Sequence, residues 1–264
     1  MKLGTQNQTF FPDAIQEKFR FIKEMGFDGF EIDGKLLVDN IEEVKRAIAE
    51  TGLPVATACG GYEGWIGDFD EEKRQKGLKE IKAILEALQQ VGGTGIVVPA
   101  AWGIFSRHLP PAASPRSEEG DRETVTDSLA HLDAAAKETG TVVYLEPLNR
   151  YEDHMINTVA EARRYIEDNG FQHVQVIADF YHMNIEEGDL AKTLHDHRDV
   201  IGHIHLADNH RLQPGSGSLD FKGLFEGLRN DGYRNYLTFE CGVKGENPEQ
   251  QYRDSVVFLK KALT

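Results

Sequence analysis

VVYLEPLNRYEDH, residues 142–154, begins as a strand and ends as something else. Val142, Val143, Tyr144 and Leu145 are strand formers with no polar face between them, the pattern of a strand buried on both sides. The run then meets Glu146, a proline, and a crowd of groups that are costly to bury: Asn149, Arg150, Glu152, Asp153 and His154. A lone glutamate at a strand end proves little. It acquires meaning if other strands end the same way.

Outward from this stretch the chain alternates. LGTQ (3–6), FDGFEID (27–33), PVATACGG (54–61), TGIVVPAA (94–101), TVVYLEP (141–147), VQVIADF (174–180), VIGHIHLAD (200–208) and YLTFECG (236–242) read as strands. Amphipathic helical runs separate them. Clear examples are DAIQEKFRFIKEMG, with Gly26 as C-cap, and the run in which Leu78, Ile81, Ile84, Leu85 and Leu88 share one face. A last helix covers roughly 248–262. Eight strand–helix units predict a single-domain (β/α)8 TIM barrel over residues 1–264. A doubly wound open sheet would want a phosphate-binding glycine fingerprint after the first strand, and TQNQTF has none. The glycines of VGGTG precede a strand and read as a helix C-cap and turn. One segment breaks the rhythm: AAWGIFSRHLPPAASPRSEEGD (101–122), a proline-rich loop after strand four. It reads as an active-site lid, against the plainer alternative of a surface insertion.

The net charge of −15 argues against nucleic acid and against an anionic membrane surface as partners. Cys59 and Cys241 form neither a CxxC nor a zinc-finger spacing, and the N-terminus has no apolar signal segment. A reducing cytoplasm is the expected compartment.

The strand ends form a constellation. Strand five ends at Glu146 and strand six at Asp179; strand seven carries His203 and His205, and strand eight ends at Glu240. Singly, each has a dull explanation as a cap, an ion-pair partner or a core histidine. Together, three carboxylates on one rim would repel one another unless a cation sat between them. Three oxygen ligands and one imidazole suit Mn²⁺ best, with Mg²⁺ or Co²⁺ close behind. His203 and His205 share a strand face. His205 is nearer the rim and is assigned to the metal, with His203 one layer deeper as a hydrogen-bonded core group.

These residues carry a family resemblance. LEPLNRYEDHMINT, ADFYHMN, HIHLADNHR and TFEC, all within residues 142–242, resemble the xylose-isomerase-like sugar isomerase/epimerase superfamily. They are most similar to the ketose 3-epimerases, of the D-tagatose and D-psicose type. The resemblance implies a metal set of Glu146, Asp179, His205 and Glu240. Glu146 and Glu240 would also act as the two catalytic bases. It places Glu152, His182 and Arg211 on the carbonyl-end oxygens of a small sugar or polyol-derived ketone. It further implies dimers or tetramers. The expected chemistry is proton abstraction and return at C3 through a metal-stabilised enediolate. Trp102 either stacks on a sugar face or anchors the lid.

Alternatives remain at this point. Inosose dehydratases and epimerases and hydroxypyruvate-type isomerases use the same chemistry. A barrel endonuclease would need further ligands and a basic face. A non-catalytic sugar-binding barrel should have lost one of the four metal residues, and all are present. A phosphorylated substrate would find backbone N–H groups in PGSGSLD (214–220), which otherwise reads as an ordinary turn.

Overall fold

Each strand-like run forms a strand in the computed structural model, which describes residues 1–105 and 113–264. The strands are β1 Lys2–Thr5, β2 Gly29–Ile32, β3 Val55–Cys59, β4 Gly95–Pro99, β5 Val142–Glu146, β6 Val174–Asp179, β7 Ile201–Leu206 and β8 Tyr236–Phe239. Neighbours in sequence pair in parallel, and β8 pairs back onto β1, closing a single eight-stranded barrel. The helices are α1 Ile15–Met25, α2 Gly34–Asp39, α3 Ile41–Thr51, α4 Glu71–Val91, α5 Glu118–Thr139, α6 Val159–Asn169, α7 Phe180–Glu186, α8 Leu190–Asp196, α9 Phe221–Asn230 and α10 Pro248–Ala262.

Local chemistry sets the boundaries. Asp70 caps α4 through the Glu72 and Lys73 N–H groups, and Thr158 with Glu161 forms a reciprocal capping box on α6. Gly92 ends α4 at φ 75°, so the first glycine of VGGTG is the expected C-cap. α5 starts inside the stretch read as loop. Ser117 caps it and Glu118, Glu119 and Asp121 fill its first turn, where the helix dipole favours negative charge. Residues 106–112, the middle of the expected lid, lie outside the described residues. The short helices α2 and α7 follow their strands directly and were not legible as periodic runs.

Strand side chains alternate between two environments. Outward residues such as Leu3, Phe30, Ile32, Ile96 and Leu145 meet the helices, including Leu78, Ile81, Leu85 and Leu88 of α4, in one continuous core. Burying each such side chain contributes about 1.5–3 kcal/mol against the entropy of ordering it. The inward residues include a polar set: Glu31, Thr57, Tyr144, His203 and His205 are all buried. Gly202 makes room for it, since a Cβ there would lie 1.9 Å from Gln175 Oε1 and 2.8 Å from the Tyr144 ring. Among the described residues no helix is long and apolar enough to cross a membrane.

Candidate active site

The C-terminal strand ends bring Glu146, Asp179, His205 and Glu240 together, with one ligand atom from each within 4.8 Å of all the others. His205 Nδ1 lies 3.4 Å from Glu146 Oε1, 3.8 Å from Asp179 Oδ2 and 3.3 Å from Glu240 Oε2. Asp179 divides its carboxylate. Oδ1 accepts from the His182 N–H at 2.8 Å and caps α7, while Oδ2 faces the cluster. Asp179 Oδ2, Glu146 Oε1 and His205 Nδ1 are buried and have no hydrogen-bond partner among the described residues. Three orphaned polar atoms aimed at one point would each cost about 1–3 kcal/mol if left unmet. With three carboxylates and an imidazole as the donor set, a divalent cation fits them.

The protonation pattern has the same cause. Burial, with Glu240 next, pushes the Glu146 carboxyl up, and the same two causes push Asp179 up to about 7. Burial also disfavours the Glu240 carboxylate, but His205 and then Arg211 outweigh it and hold the group at about 2. For His205 burial opposes the charge, and Glu31 and Glu240 overcome it, so the imidazole is raised well above its ordinary range. The four groups compete for protons in a volume where one cation would serve all of them.

Beneath this cluster lies a layer that sequence reasoning missed. Glu31, fully buried at the centre of β2, accepts from Gln6 Nε2 at 2.9 Å and Thr57 Oγ1 at 2.6 Å. Its two oxygens also lie 2.7 Å from His205 Nε2 and 2.8 Å from His203 Nε2. Gln6 Nε2 reaches Glu240 Oε1 as well, at 3.0 Å. His203 therefore sits one layer deeper than His205, as expected. Glu31 was legible by the logic applied to Glu146: FEI sets a carboxylate between two apolar strand residues.

Above the cluster stand the residues expected to bind substrate. Asn149, also missed, organises them: its backbone N–H and its Nδ2 lie 3.1 and 2.8 Å from His182 Nδ1, and Nδ2 is 3.0 Å from Glu152 Oε1. Two donors at Nδ1 leave the His182 proton on Nε2. Burial lowers its pKa, which keeps the ring neutral. Arg211 Nη1 lies 3.1 Å from that Nε2 and can only donate, so with the proton on Nε2 the two N–H groups face one another and an oxygen between them would accept from both. Arg211 also reaches Glu152 at 3.2 Å and Glu240 at 3.5 Å, and stacks over Tyr181 at 4.9 Å. Its backbone is left-handed at φ 61°, a conformation sparse for residues other than glycine. The bonds Arg211 N–H to Asp208 O and Gly242 N–H to Arg211 O hold it there.

Trp102 donates from Nε1 to Glu152 Oε2 at 3.0 Å while remaining 55% exposed. Its ring meets Trp65 edge-on at 6.3 Å, and Trp65 meets Tyr62 at 5.9 Å. Glu146, Glu152, Trp102, Arg211 and Glu240 line one cavity of about 210 Å³ with Tyr62 and Trp65. The PGSGSLD turn is filled from within: Gly215, Gly217 and Leu219 donate their N–H groups to the Asp208 carboxylate at 2.9, 2.8 and 3.2 Å. A phosphate would have to displace that buried anion.

Comparison with known proteins agrees with this architecture. The family described as Xylose isomerase-like TIM barrel matches residues 19–262. The 3-dehydro-D-guloside 4-epimerase of Escherichia coli (strain K12) is 68% identical, over 98% of this chain and 99% of its own length. The L-ribulose 3-epimerase of Mesorhizobium japonicum is 31% identical over 83% of this chain and 72% of its own. The crystal structure of 3-keto-D-glucoside 4-epimerase from E. coli, in its apo form, superposes with a TM-score of 0.97 at 68% identity, covering 99% of both chains.

Proposed function

The chain belongs to the xylose isomerase-like TIM barrel family and is a sugar epimerase of the isomerase class, and from this premise we infer that it inverts a carbinol carbon next to a ketone by two-base proton transfer. The observation that carries the reading is the placement of two glutamates. Glu146 and Glu240, three strands apart around the barrel, each approach His205 Nδ1 and each line the same cavity.

The reacting unit is HO–CH–C=O. One glutamate takes the carbon-bound proton, leaving an enediolate, and the other returns a proton to the opposite face, which inverts the centre. The roles exchange in the reverse direction. Mn²⁺, or Mg²⁺ or Co²⁺, held by Glu146, Asp179, His205 and Glu240, would supply Lewis acidity toward the oxygens of that unit. His182 Nε2–H and the Arg211 guanidinium offer donors to the same oxygens, and Glu152, held by Asn149, Trp102 and Arg211, keeps Arg211 in place. Trp102, at the start of the 101–122 stretch, lines the cavity and bonds to Glu152, which supports a part for this side chain in closing the site. The free thiols of Cys59 and Cys241 support a reducing compartment, the cytoplasm.

The substrate reading is a 3-keto-glycoside inverted at C4, supported by the 68% identity to a 4-epimerase over nearly all of both chains. Epimerisation of a free ketose at C3 is the second reading, favoured by the 31% identity to an L-ribulose 3-epimerase. Both present the same HO–CH–C=O unit. Metal-loaded protein incubated in D₂O with methyl 3-keto-D-glucoside, ketohexoses, ketopentoses and inososes separates them by NMR. Deuterium at C4 of the keto-glycoside with a new 4-epimer is expected. Label at C2 of that compound, or only at C3 of a ketose, would overturn the C4 assignment. No label in any substrate would sink the epimerase reading.

A further inference from the structure

Glu31 touches neither the cavity nor any atom expected to meet substrate, yet four donors converge on it. A carboxylate has room for about four such bonds, so this one is saturated. We propose that Glu31 is a positioning residue that presents His205 Nδ1, unprotonated, to the cation site and, through Gln6, fixes the orientation of Glu240. The inference rests on the reading of Glu146, Asp179, His205 and Glu240 as a cation site.

Ring geometry sets the tautomer. His205 Nε2 lies 2.7 Å from Glu31 Oε1, a hydrogen-bond distance, and a carboxylate oxygen can only accept. When the ring carries a single proton, as it must to ligate a cation, that proton therefore sits on Nε2 and Nδ1 is left to face Glu146, Asp179 and Glu240. Without an acceptor at Nε2 the ring could carry its proton on Nδ1, where it would block a cation. Pairing a ligating imidazole with a carboxylate also raises its basicity.

Glu31 is itself held so that it cannot turn away. Thr57 Oγ1 and His203 Nε2 occupy Oε2, at 2.6 and 2.8 Å, and Gln6 shares Oε1. Tyr144 packs on the His203 ring at 5.3 Å and donates to Thr94 at 3.1 Å, which fixes the far side. Gln6 gives its two amide hydrogens to Glu31 Oε1 and Glu240 Oε1, at 2.9 and 3.0 Å. Oε1 of Glu240 is thereby held, and Oε2 is left to face His205 and Arg211. The N-terminal strands β1, β2 and β3 thus serve a site whose ligands all come from β5 to β8 and their C-terminal ends.

Glu31, His203 and His205 also lie close enough to hold a cation of their own. The 2.7 and 2.8 Å separations are those of direct N–H to O bonds, which places protons rather than a second ion between these atoms. A stoichiometry of one cation is the corresponding expectation.

The test uses the full chain, with Mn²⁺ titrated and free ion counted by electron paramagnetic resonance. Wild type should bind one Mn²⁺. Glu31→Gln should weaken it about 10-fold and Glu31→Ala up to about 100-fold, the range seen when the partner of a ligating side chain is removed. Melting in EDTA reports folding separately, and long-range ¹H–¹⁵N spectra of the Mg²⁺-loaded wild type should show His205 protonated at Nε2. Affinities within twofold of wild type in both variants would overturn the proposal, as would a proton on His205 Nδ1 or two bound Mn²⁺. Wild type that binds no Mn²⁺ would instead remove the cation reading beneath it. If Glu31→Ala does not fold, Glu31→Gln and the tautomer measurement still decide.

Discussion

Removing the cation should destabilise the fold by an amount the site predicts. Glu146 Oε1, Asp179 Oδ2 and His205 Nδ1 are buried with no hydrogen-bond partner among the described residues, so a divalent ion should bind the folded chain far better than the unfolded one. At a free concentration about a thousandfold above its Kd, such a ligand stabilises the fold by about 4 kcal/mol. Unfolding entropy of about 2.1 cal/mol/K per residue over 264 residues turns that into a rise in melting temperature of about 7 °C. The assay is calorimetric melting after EDTA treatment, repeated with Mn²⁺, Mg²⁺ or Co²⁺ restored. Asp179→Asn is the control. Asn keeps the oxygen that caps α7 through the His182 N–H and replaces the one facing the cluster. Its melting temperature in EDTA should equal or exceed that of wild type, because one repulsive charge is gone, and its response to Mn²⁺ should fall below about 2 °C. An unchanged Mn²⁺ response in Asp179→Asn, or none in wild type with any of the three ions, would refute the reasoning.

Two further outcomes can be checked. Burial pushes Asp153 up to about 7, although the backbone N–H groups of Met155, Ile156 and His154 favour its anion. Its folded pKa stands above the unfolded 3.8, so the stability it contributes is complete below about pH 3.8 and is lost as pH rises through about 7. Asp153→Asn keeps an acceptor for that turn and cannot ionise. Urea unfolding should therefore show the variant gaining on wild type by up to about 4 kcal/mol between pH 4 and pH 8, and a difference that is flat with pH would refute the assignment. Trp102→Phe keeps an aromatic ring and loses the bond to Glu152. With the side chain so exposed, the melting temperature should hold while KM rises about 2- to 10-fold, the worth of one hydrogen bond; a KM equal to wild type would leave Trp102 without a part in binding.

The barrel was legible because its signal is repetitive and local. Buried strands read as apolar runs, their helices as 3.6-residue periodicity, and each of the eight strand-like runs overlaps the strand observed and ends one to three residues beyond it. Glu146, Asp179, His205 and Glu240 were legible for the same reason: each interrupts or terminates a strand, and a parallel barrel points all such ends the same way. α2 and α7 were not, being too short for a period to show.

What the sequence determined by itself was thus the list of strands and which of them end on a carboxylate or imidazole. What only the tertiary structure decided was who meets whom across the barrel. Glu31 and His205 are separated by 174 positions and meet at 2.7 Å, and Gln6 reaches Glu240 across 234. Such contacts leave no periodicity, because a carboxylate inside a strand looks the same along the chain whether it is an error, an ion pair or a support. Closure of β8 onto β1 brings Gln6 to Glu240, and β2 reaches β7 through the interior, so their chemistry exists only once the barrel is closed.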